Sequence, residues 1–299
     1  MDSYHDPVLL NESVEALNIK KEGIYVDATY GGGGHSRLIL QKLGAKGHLL
    51  GFDQDEDTLS NVTENEQFTF VHHNFKHLKR FLRLHAFQQV DGILADLGVS
   101  SHQLNDADRG FSFRFDTDLD MRMNQQGDLT AADILNDYDA DALQQVFSLY
   151  GEVRNSKSLA QRIVDERKSL PLKRIGDFLQ LVGPLVRGNR NRYLAQVFQA
   201  LRIEVNDEIG ALKTFLEEAL QVLKPGGRLV VISYHSLEDR LVKNFFKSGN
   251  FTGELIKDFY GNIERPFNII TKKAFIPSQE EIKINPRARS AKMRVAEKI

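Results

Sequence analysis

The chain has 299 residues, 41% of them hydrophobic, with 39 basic side chains nearly balancing 41 acidic ones, which fits one large or two modest globular domains. No apolar run approaches the ~20 residues of a membrane span, and no basic flank or apolar stretch of a targeting peptide is present, so we expect a cytoplasmic protein without membrane contacts. The absence of cysteine excludes disulfides, thiolate metal sites and cysteine nucleophiles.

The first 100 residues alternate between strand and helix signals. A short apolar run at 24–26 ends at Asp27, and the glycines at 31–34 follow it before a helical pattern over 36–43. Further apolar runs that give way to polar residues occupy 47–55, 68–75 and 90–98. Strands that alternate with helices predict βαβ units and a parallel sheet, the basis of an α/β fold.

The pattern changes after residue 104. Helix-like segments at 141–151, 156–170 and 193–206 follow one another with no convincing strand between them. We therefore predict a helical domain over 105–206 inserted into an α/β domain made of 1–104 and 207–299.

The alternation resumes after the insertion. A helix is predicted over 206–223 and a strand over 228–236. The segment 267–276 has strand character, and the alternating residues of 290–299 predict an edge strand.

A strand, a glycine-rich loop and a helix together predict a site for a nucleotide-like ligand, because glycines allow close approach and the first helical N–H groups point outward. A second strand ends at Asp53, 21 residues after Gly32. A carboxylate at that place can accept hydrogen bonds from both ribose hydroxyls, so the pattern predicts an adenosine-bearing cofactor.

The loop does not fit a pyrophosphate. Gly31 and Gly33 are followed by Ser36 where a dinucleotide fingerprint requires a third glycine. Asp27, just before the loop, would repel phosphates and attract a cation. These features favour S-adenosylmethionine, with its amino and sulfonium groups, over a nicotinamide dinucleotide.

Several longer motifs resemble one family. They are HDPVLLNESV (5–14), DATYGGGGHSRLIL (27–40), GFDQD (51–55), DGILADLGVSSHQL (91–104), RGFSF (109–113), LDMRM (119–123), QALRIEVNDE (199–208), SYHSLEDR (233–240) and NPRARSAKMR (285–294). Together they resemble the bacterial ribosomal RNA small subunit methyltransferase H family from near residue 5 to the last residue. The resemblance implies a Rossmann-like S-adenosylmethionine-dependent methyltransferase sheet carrying the inserted helical domain.

The resemblance also implies an activity and a set of contacts. Members of the family transfer a methyl group from S-adenosylmethionine to N4 of a cytidine in the decoding region of 16S ribosomal RNA, which would be reached within the small ribosomal subunit. The cofactor residues implied by the resemblance are Gly33, Gly34, His35, Asp53, Phe75, Asp96 and Gln103. We expect the loop to offer backbone donors to the methionyl end, Asp53 to take the ribose and Phe75 to border the adenine.

The residue content agrees with methylation at N4. Attack at C5 of cytosine normally needs a cysteine, and this chain has none. At N4 the protein must orient the amine and accept its hydrogen bonds as positive charge builds, and Asp96 at the end of the fourth strand is the predicted catalytic residue. The Pro-Pro-aromatic sequence common after that position in amino-methyltransferases is missing, so other groups must hold the base. The candidates are Ser100, Ser101, His102, Phe111, Tyr234 and His235, with Phe111 and Tyr234 as stacking partners.

Two histidine patterns could indicate catalysis or metal binding, but each also has a structural explanation. His235 and Glu238 could act as a general base, although Ser236 and Glu238 could equally cap the helix that begins there. His73 and His77 have the i, i+4 spacing of metal ligands, but no carboxylate is near them in the sequence, and we predict no metal.

Basic residues concentrate in two places. Arg187, Arg190 and Arg192 fall on a predicted loop, and residues 271–299 carry a local net charge of +5 that includes Arg287 and Arg289. We expect both regions to contact RNA phosphates. Two alternatives remain at this point: a dehydrogenase of the same fold, and a non-catalytic RNA-binding or assembly protein that keeps a vestigial cofactor pocket.

Overall fold

The computed structural model describes residues 7–257, 261, 263 and 265–299, so the first two residues of the HDPVLLNESV motif lie outside the described part. The described residues form one sheet from β1 (Ile24–Asp27), β2 (His48–Asp53), β3 (Phe68–His72), β4 (Val90–Asp96), β5 (Leu223–Ser233), β6 (Phe267–Ile269) and β7 (Lys292–Lys298). Their order is β3-β2-β1-β4-β5-β7-β6. All pairs among β1 to β5 are parallel, whereas β7 runs antiparallel to both β5 and β6.

The helices connect these strands and fill the insertion. They are α1 (Leu10–Ala16), α2 (Gly34–Lys42), α3 (Leu78–Leu84), α4 (Ser101–Asn105), α5 (Ala131–Asp137), α6 (Ala140–Leu149), α7 (Ser156–Glu166), α8 (Ile175–Val182), α9 (Arg190–Val205), α10 (Glu208–Val222), α11 (Ser236–Ser248) and α12 (Gln279–Ile284). Among the described residues, no helix combines the length and the apolar character that crossing a bilayer requires.

The α/β fold predicted from the alternating pattern is confirmed. β4 lies in the middle of the sheet and is buried along almost its whole length, as expected for a parallel strand covered on both faces. Position 92 in this strand is a glycine because of packing, since a Cβ there would lie 2.9 Å from the ring of Tyr25 on β1. The order β3-β2-β1-β4-β5 reverses between β1 and β4, and ligands of open α/β sheets bind outside the carboxyl ends of the strands at such a reversal.

The prediction of an edge strand over 290–299 is wrong. β7 lies inside the sheet between β5 and β6, and the three-residue β6 is the edge. The alternation of charged and apolar residues suggested a solvated face, but the charges have partners. Arg294 Nε lies 2.7 Å from Asp239 Oδ1, and Glu297 Oε2 lies 3.2 Å from Arg228 Nε.

β5 begins earlier than the predicted strand. Leu223 pairs with Val90 and Arg228 with Gly92, so the register skips residues 224–227. Pro225 and Gly226 occupy this irregularity, where a proline does not interrupt the ladder of hydrogen bonds.

The described residues divide into two compact units. One contains the residues up to Gly98 and Ile209–Ile299, and the other, the helical unit, is Val99–Glu208. The insertion therefore begins at 99 and ends at 208, where the sequence pattern suggested 105 and 206. Alternate residues of the strands pack into two apolar clusters on opposite faces of the sheet, and the helical unit has a core of its own.

Candidate cofactor and catalytic site

The glycine loop leaves the carboxyl end of β1 and turns sharply into α2. Gly31 and Gly33 have φ angles of +51° and +72°, which residues with a Cβ rarely adopt. The N–H of Gly33 donates to the carbonyl of Tyr30 at 2.7 Å and closes the turn. Gly34 and His35 begin α2, where N–H groups have no partner within the helix, so these two residues supply the donors at the loop.

The segment before α1 packs directly on this loop. A Cβ on Gly34 would lie 2.1 Å from Pro7 Cγ, so only glycine fits there. The imidazole of His35 is 4% exposed, and its Nε2 lies 3.2 Å from the carbonyl oxygen of Val8. The side chain of His35 therefore fastens residues 7–8 to the loop.

Asp27 is held inside the protein, and the attraction that we predicted between its negative charge and a cationic cofactor stays a prediction. Its side chain is fully buried. It accepts hydrogen bonds from the hydroxyl of Ser36 at 2.6 Å and from the N–H of Thr29 at 3.2 Å. Burial raises the pKa of Asp27, and the neighbouring His35 and these hydrogen bonds oppose the rise. Asp27 thus connects the end of β1 to the first turn of α2.

Asp53 ends β2 and faces the loop across the sheet edge. Its Oδ2 accepts the N–H of Gly31 at 2.8 Å, and its Oδ1 accepts the N–H of Asp55 at 3.0 Å. Each carboxylate oxygen has two lone pairs, so both can accept a further hydrogen bond, as the two hydroxyls of a ribose would require. Burial raises the pKa of Asp53 to about 6, while its two backbone hydrogen bonds lower it. The carboxylate is ionised at neutral pH.

Phe75 lies just beyond β3 in the short 3-10 helix Phe75–His77. Its ring is partly exposed and meets Phe215 edge-on, with the ring centroids 5.1 Å apart. Asn74 links the ends of the two neighbouring strands, because its Nδ2 donates to Gln54 Oε1 at 2.8 Å. Asp53 and Phe75 are thereby held at the same edge of the sheet, which suits a ribose and an adenine.

Asp96 ends β4 and joins the ends of three strands. Its Oδ1 accepts the phenol O–H of Tyr234, just after β5, at 2.8 Å. Its backbone N–H donates to Thr29 Oγ1, just after β1, at 2.7 Å. Tyr234, predicted as a stacking partner for the base, thus has a definite contact with the predicted catalytic residue.

The surroundings of Asp96 are acidic. Burial raises its pKa to about 7; the hydrogen bond from Tyr234 lowers the pKa, and the charges of Asp27, Glu238 and Glu281 raise it further. Burial and the negative charge of Asp96 raise the pKa of Tyr234 well above its ordinary value, so the phenol keeps its proton. A carboxyl group with a pKa near 7 can accept or hold a proton at neutral pH.

His235 and Glu238 form the beginning of α11. His235 is the N-cap residue, with its Nδ1 3.4 Å from the N–H of Glu238, and Glu238 Oε2 accepts the N–H of Tyr234 at 3.0 Å. The cap of α11 is therefore the side chain of His235 and not that of Ser236, which is the first residue of the helix, while Glu238 accepts the N–H of the residue before the cap. The two side chains hold Tyr234 in place beside Asp96.

Several of the predicted residues lie near the start of the helical unit. Ser100 and Gln103 form a capping box at α4, in which Ser100 Oγ accepts the N–H of Gln103 at 3.1 Å and Gln103 Oε1 accepts the N–H of Ser100 at 2.9 Å. His102 lies in the same short helix. Phe111 is 6% exposed and packs in the core of this unit, with Arg109 over its ring, which disfavours it as a stacking partner for a base.

The arginines at 187–192 are exposed, but they do not share one loop. Arg190 and Arg192 belong to the first turn of α9, because Asn189 caps this helix by accepting the N–H of Arg192 at 3.0 Å. Arg187 precedes the cap. The loop predicted for the three residues is thus wrong for two of them.

The basic tail is less available than its charge suggests. Lys292 and Arg294 both pair with Asp239 on α11, at 3.4 and 2.7 Å, and Arg294 is 13% exposed. Our expectation that these two cations meet phosphates is not supported. Arg287 and Arg289 belong to the short 3-10 helix Pro286–Ser290, and Arg289 is exposed.

Two residues that support the site were not predicted from the sequence. Thr29 fixes the backbone of Asp96, and Glu281 on α12 both adds negative charge near Asp96 and accepts the N–H of Leu9 at 2.8 Å. Leu9 has a φ of +52°, a strained conformation for a residue with a side chain. Thr29 and Leu9 both lie in motifs that carry the family resemblance, but no local pattern indicates their contacts.

Comparison with known proteins shows which family the chain resembles over its length. The sequence model of the MraW methylase family matches residues 2–299. Ribosomal RNA small subunit methyltransferase H of Parabacteroides distasonis is 57% identical over 298 residues, covering 99% of this chain and 98% of that protein. The protein of the same name from Bacteroides thetaiotaomicron is 56% identical over 297 residues, with 99% and 98% covered. Among solved structures, a putative rRNA-methylase from Clostridium thermocellum matches with a TM-score of 0.44 and 13% identity, covering 99% of this chain and 100% of that one.

Proposed function

Because the chain belongs to the MraW methylase family, we propose that it methylates N4 of a cytidine in the decoding region of 16S ribosomal RNA. The names of the two relatives, both ribosomal RNA small subunit methyltransferases, support the RNA as substrate. Membership of a methylase family also removes the dehydrogenase alternative. The motif resemblance supports the base and its position within the RNA, and the absence of a cysteine nucleophile supports N4 over C5 of cytosine as the methylated atom.

S-adenosylmethionine is the cofactor, and when bound it supplies an electrophilic methyl group on a sulfonium. The residues of the sheet edge fit it. Gly34 and His35 offer backbone N–H groups for the methionyl carboxylate, and Asp53 keeps two acceptor positions for the ribose. Phe75 offers an apolar surface for the adenine. Gln103, which the resemblance adds to this set, stays a proposal.

The observation that carries the catalytic proposal is the contact between Asp96 and Tyr234. The lone pair of N4 is delocalised into the cytosine ring, so the amine becomes nucleophilic only when an acceptor orients it and takes up developing positive charge. Asp96 has one oxygen bound to the Tyr234 phenol, and its second oxygen is the acceptor for the amine. As N4 forms its bond to the methyl carbon and the carbon–sulfur bond breaks, the proton lost from N4 passes to the Asp96 carboxylate.

The base would reach this carboxylate after leaving its stack. An exocyclic amine inside a helix is inaccessible, and enzymes that modify bases extrude the nucleotide into a pocket. Ser100, His102, Tyr234 and His235 remain proposed contacts of the flipped cytidine, and the helical unit remains the proposed substrate-recognition domain. Action on the small ribosomal subunit in the cytoplasm is part of the same proposal.

A methyl-transfer assay tests the proposal. Wild-type protein and labelled S-adenosylmethionine are incubated with small ribosomal particles or with naked 16S RNA lacking the modification, and the nucleosides are identified by mass spectrometry. We expect N4-methylcytidine from the wild type and from the surface control Asp165→Asn, and none above background from Asp96→Asn. RNA binding without any methylated nucleoside would instead support the vestigial-pocket alternative. A product methylated at another atom would contradict the assignment to N4.

A further inference from the structure

Residues 7–9, which we call the 7–9 segment, pack on the first turn of α2. The ring of Pro7 lies against Gly34, where a Cβ would be 2.1 Å from Pro7 Cγ. The carbonyl oxygen of Val8 lies 3.2 Å from Nε2 of His35. Gly34 and His35 are also the two residues proposed to offer N–H groups to the methionyl carboxylate. The placement of the 7–9 segment therefore bears directly on the proposed cofactor site.

The last residue of the segment, Leu9, has a conformation that needs support from outside the segment. Its φ of +52° lies in the left-handed region, which is unfavourable for a residue with a Cβ. Leu9 is 1% exposed, so its N–H needs an acceptor within the protein. Oε1 of Glu281 on α12 accepts this N–H at 2.8 Å. The buried amide of Leu9 thus depends on a carboxylate 272 positions away in the chain.

The backbone of Glu281 is fixed by two hydrogen bonds of α12. Its N–H donates to Oγ of Ser278 at 3.1 Å, and its carbonyl oxygen accepts the N–H of Asn285 at 2.7 Å. Ala288, which follows α12, is buried in the same apolar cluster as Leu9. The carboxylate therefore extends from a well-anchored helix toward the 7–9 segment.

We propose that Glu281 is a positioning residue for S-adenosylmethionine, because its carboxylate holds the 7–9 segment against the residues that receive the methionyl end. The inference rests on the placement of the cofactor in the proposed function. Glu281 acts through Leu9, Val8 and Pro7 on the N–H groups at the start of α2, without touching the cofactor. When the hydrogen bond is lost, the segment is seated in only a fraction of the molecules, and the affinity for the cofactor falls by that fraction.

The charge of Glu281 has a separate effect, on Asp96. Burial raises the pKa of Asp96 to about 7, and the hydrogen bond from Tyr234 opposes the rise. The charges of Asp27, Glu238 and Glu281 raise this pKa further. Removing the charge of Glu281 should therefore lower the pKa of Asp96. The two effects can be separated, since glutamine keeps the acceptor oxygen without the charge, whereas aspartate keeps the charge on a side chain shorter by one carbon.

Calorimetry with S-adenosylmethionine at pH 8 tests the positioning role. We expect Glu281→Gln to bind the cofactor with the wild-type affinity. Glu281→Ala lacks the acceptor for the Leu9 N–H and Glu281→Asp is too short to reach it, so both should bind the cofactor on the order of tenfold more weakly. The matched control is Glu280→Ala, which removes an exposed carboxylate from the neighbouring position of α12 and should keep the wild-type affinity. A thermal melt of each variant ensures that folded proteins are compared.

Hydrogen exchange of the backbone amides reports on the segment directly. In the wild type the amide of Leu9 should exchange slowly, and S-adenosylmethionine should slow it further, because coupling between two sites is reciprocal. In Glu281→Ala and Glu281→Asp this amide should exchange faster than in the wild type when the cofactor is absent. A contribution of Glu281 to stability alone would lower the melting temperature and leave the cofactor affinity unchanged.

The outcomes separate the two proposals. Wild-type affinity in both Glu281→Ala and Glu281→Asp overturns the positioning role, and so does an equal loss of affinity in Glu281→Gln or in the Glu280→Ala control. In the pH profile of methyl transfer, we expect a midpoint below the wild-type value for Glu281→Gln and an unchanged one for Glu281→Asp, the reverse of their order in cofactor affinity. If the wild type yields no N4-methylcytidine, the proposed function fails, while the calorimetry still decides the role of Glu281.

Discussion

The phenol of Tyr234 donates a 2.8 Å hydrogen bond to the carboxylate of Asp96, although the two residues are 138 positions apart. The contact joins the ends of β4 and β5, and Glu238 secures it by accepting the N–H of Tyr234. A donor on one carboxylate oxygen favours the ionised form, so Tyr234 opposes the burial that raises the pKa of Asp96 to about 7. Tyr234 therefore lowers the pH at which Asp96 gains or loses its proton.

Removing this hydrogen bond should shift the pH dependence of methyl transfer. In the wild type we expect the rate at saturating substrates to rise with pH as Asp96 ionises, with a midpoint near 7. Tyr234→Phe should raise that midpoint by roughly 1 pH unit, since a hydrogen bond to a charged group contributes ~1.5 to 3 kcal/mol and 1.36 kcal/mol corresponds to one unit. The control is Tyr138→Phe, which removes a 2.8 Å hydrogen bond from a tyrosine to Glu204 in the helical unit. Coinciding midpoints for Tyr234→Phe and the wild type would show that Tyr234 does not tune Asp96.

The raised pKa of Asp96 also has a cost in stability. Its ordinary pKa is 3.8, so between about 4 and 7 the folded protein holds a proton that the unfolded chain releases, and the free energy of unfolding falls as pH rises through this window. Asp96→Asn removes the titration, and its Oδ1 can still accept the Tyr234 hydroxyl. We expect the variant to be more stable than the wild type at pH 8, on the order of 1 kcal/mol or about 2 to 4 °C in Tm, with a smaller difference at pH 4.

Thermal melts of both proteins at the two pH values check this expectation. Loss of methyl transfer should accompany the gain in stability. A variant that melts below the wild type at pH 8 would mean that the Asp96 charge is compensated in the folded protein by contacts other than the Tyr234 hydrogen bond.

The sequence predicted the strand ends well, for a physical reason. A buried parallel strand is a short apolar run, and Asp27, Asp53 and Asp96 each mark the point where such a run stops. The family assigned from the motifs is confirmed by the match over residues 2–299. The function of an aspartate at a strand end does not follow from its position alone, however, because Asp27 is buried and structural while Asp53 and Asp96 are partly exposed.

The features that could not be predicted depend on partners far away in the chain. The pairing of Leu9 with Glu281 spans 272 positions, and no periodicity in either segment indicates it. The interior position of β7 was missed because its charged residues find ion-pair partners on α11 and β5 instead of solvent. The start of α9, by contrast, had a local signal: Asn189 is a favoured N-cap residue, and it shows that Arg190 begins the helix.

Loss of the Asp53 carboxylate should weaken S-adenosylmethionine binding. We expect Asp53→Ala to reduce the affinity by roughly 10- to 150-fold, the equivalent of ~1.5 to 3 kcal/mol for hydrogen bonds to a charged group. The affinity of the wild type should also fall as pH drops through about 6, where Asp53 becomes protonated and loses acceptor capacity. Isothermal calorimetry at several pH values measures both effects.

The control for Asp53 is Glu64→Ala, which removes an exposed carboxylate of the same unit. Asp53 also holds the N–H groups of Gly31 and Asp55, so a thermal melt must accompany the calorimetry. If Asp53→Ala binds the cofactor as tightly as the wild type, or if its affinity keeps the same fall near pH 6, Asp53 does not contact the ribose.

The arginines around the start of α9 should contribute to RNA binding, although they lower the stability of the helix. Arg190 and Arg192 place positive charge in the first turn, where the helix dipole is unfavourable to cations by ~0.3 to 1 kcal/mol each. Helix stability therefore does not explain why arginines occupy these two positions. Contact with RNA phosphates would explain them. Substituting Arg187, Arg190 and Arg192 together by Gln should lower the salt slope of RNA binding by about one unit for each lost phosphate contact, and should leave the melting temperature unchanged or higher.

A second triple variant, Arg162→Gln/Lys168→Gln/Arg174→Gln, tests whether the position of the charges matters. It removes the same number of charges from the helical unit, but each of its cations is already paired with an acidic side chain, at 3.2 Å for Arg162 and for Lys168 and 3.5 Å for Arg174. We expect this control to keep the wild-type salt slope, because paired cations release few counterions from RNA. An equal reduction of the slope in both triple variants would show that Arg187, Arg190 and Arg192 act only through net charge. A wild-type slope in the Arg187/Arg190/Arg192 variant would place the RNA path of the helical unit on another surface.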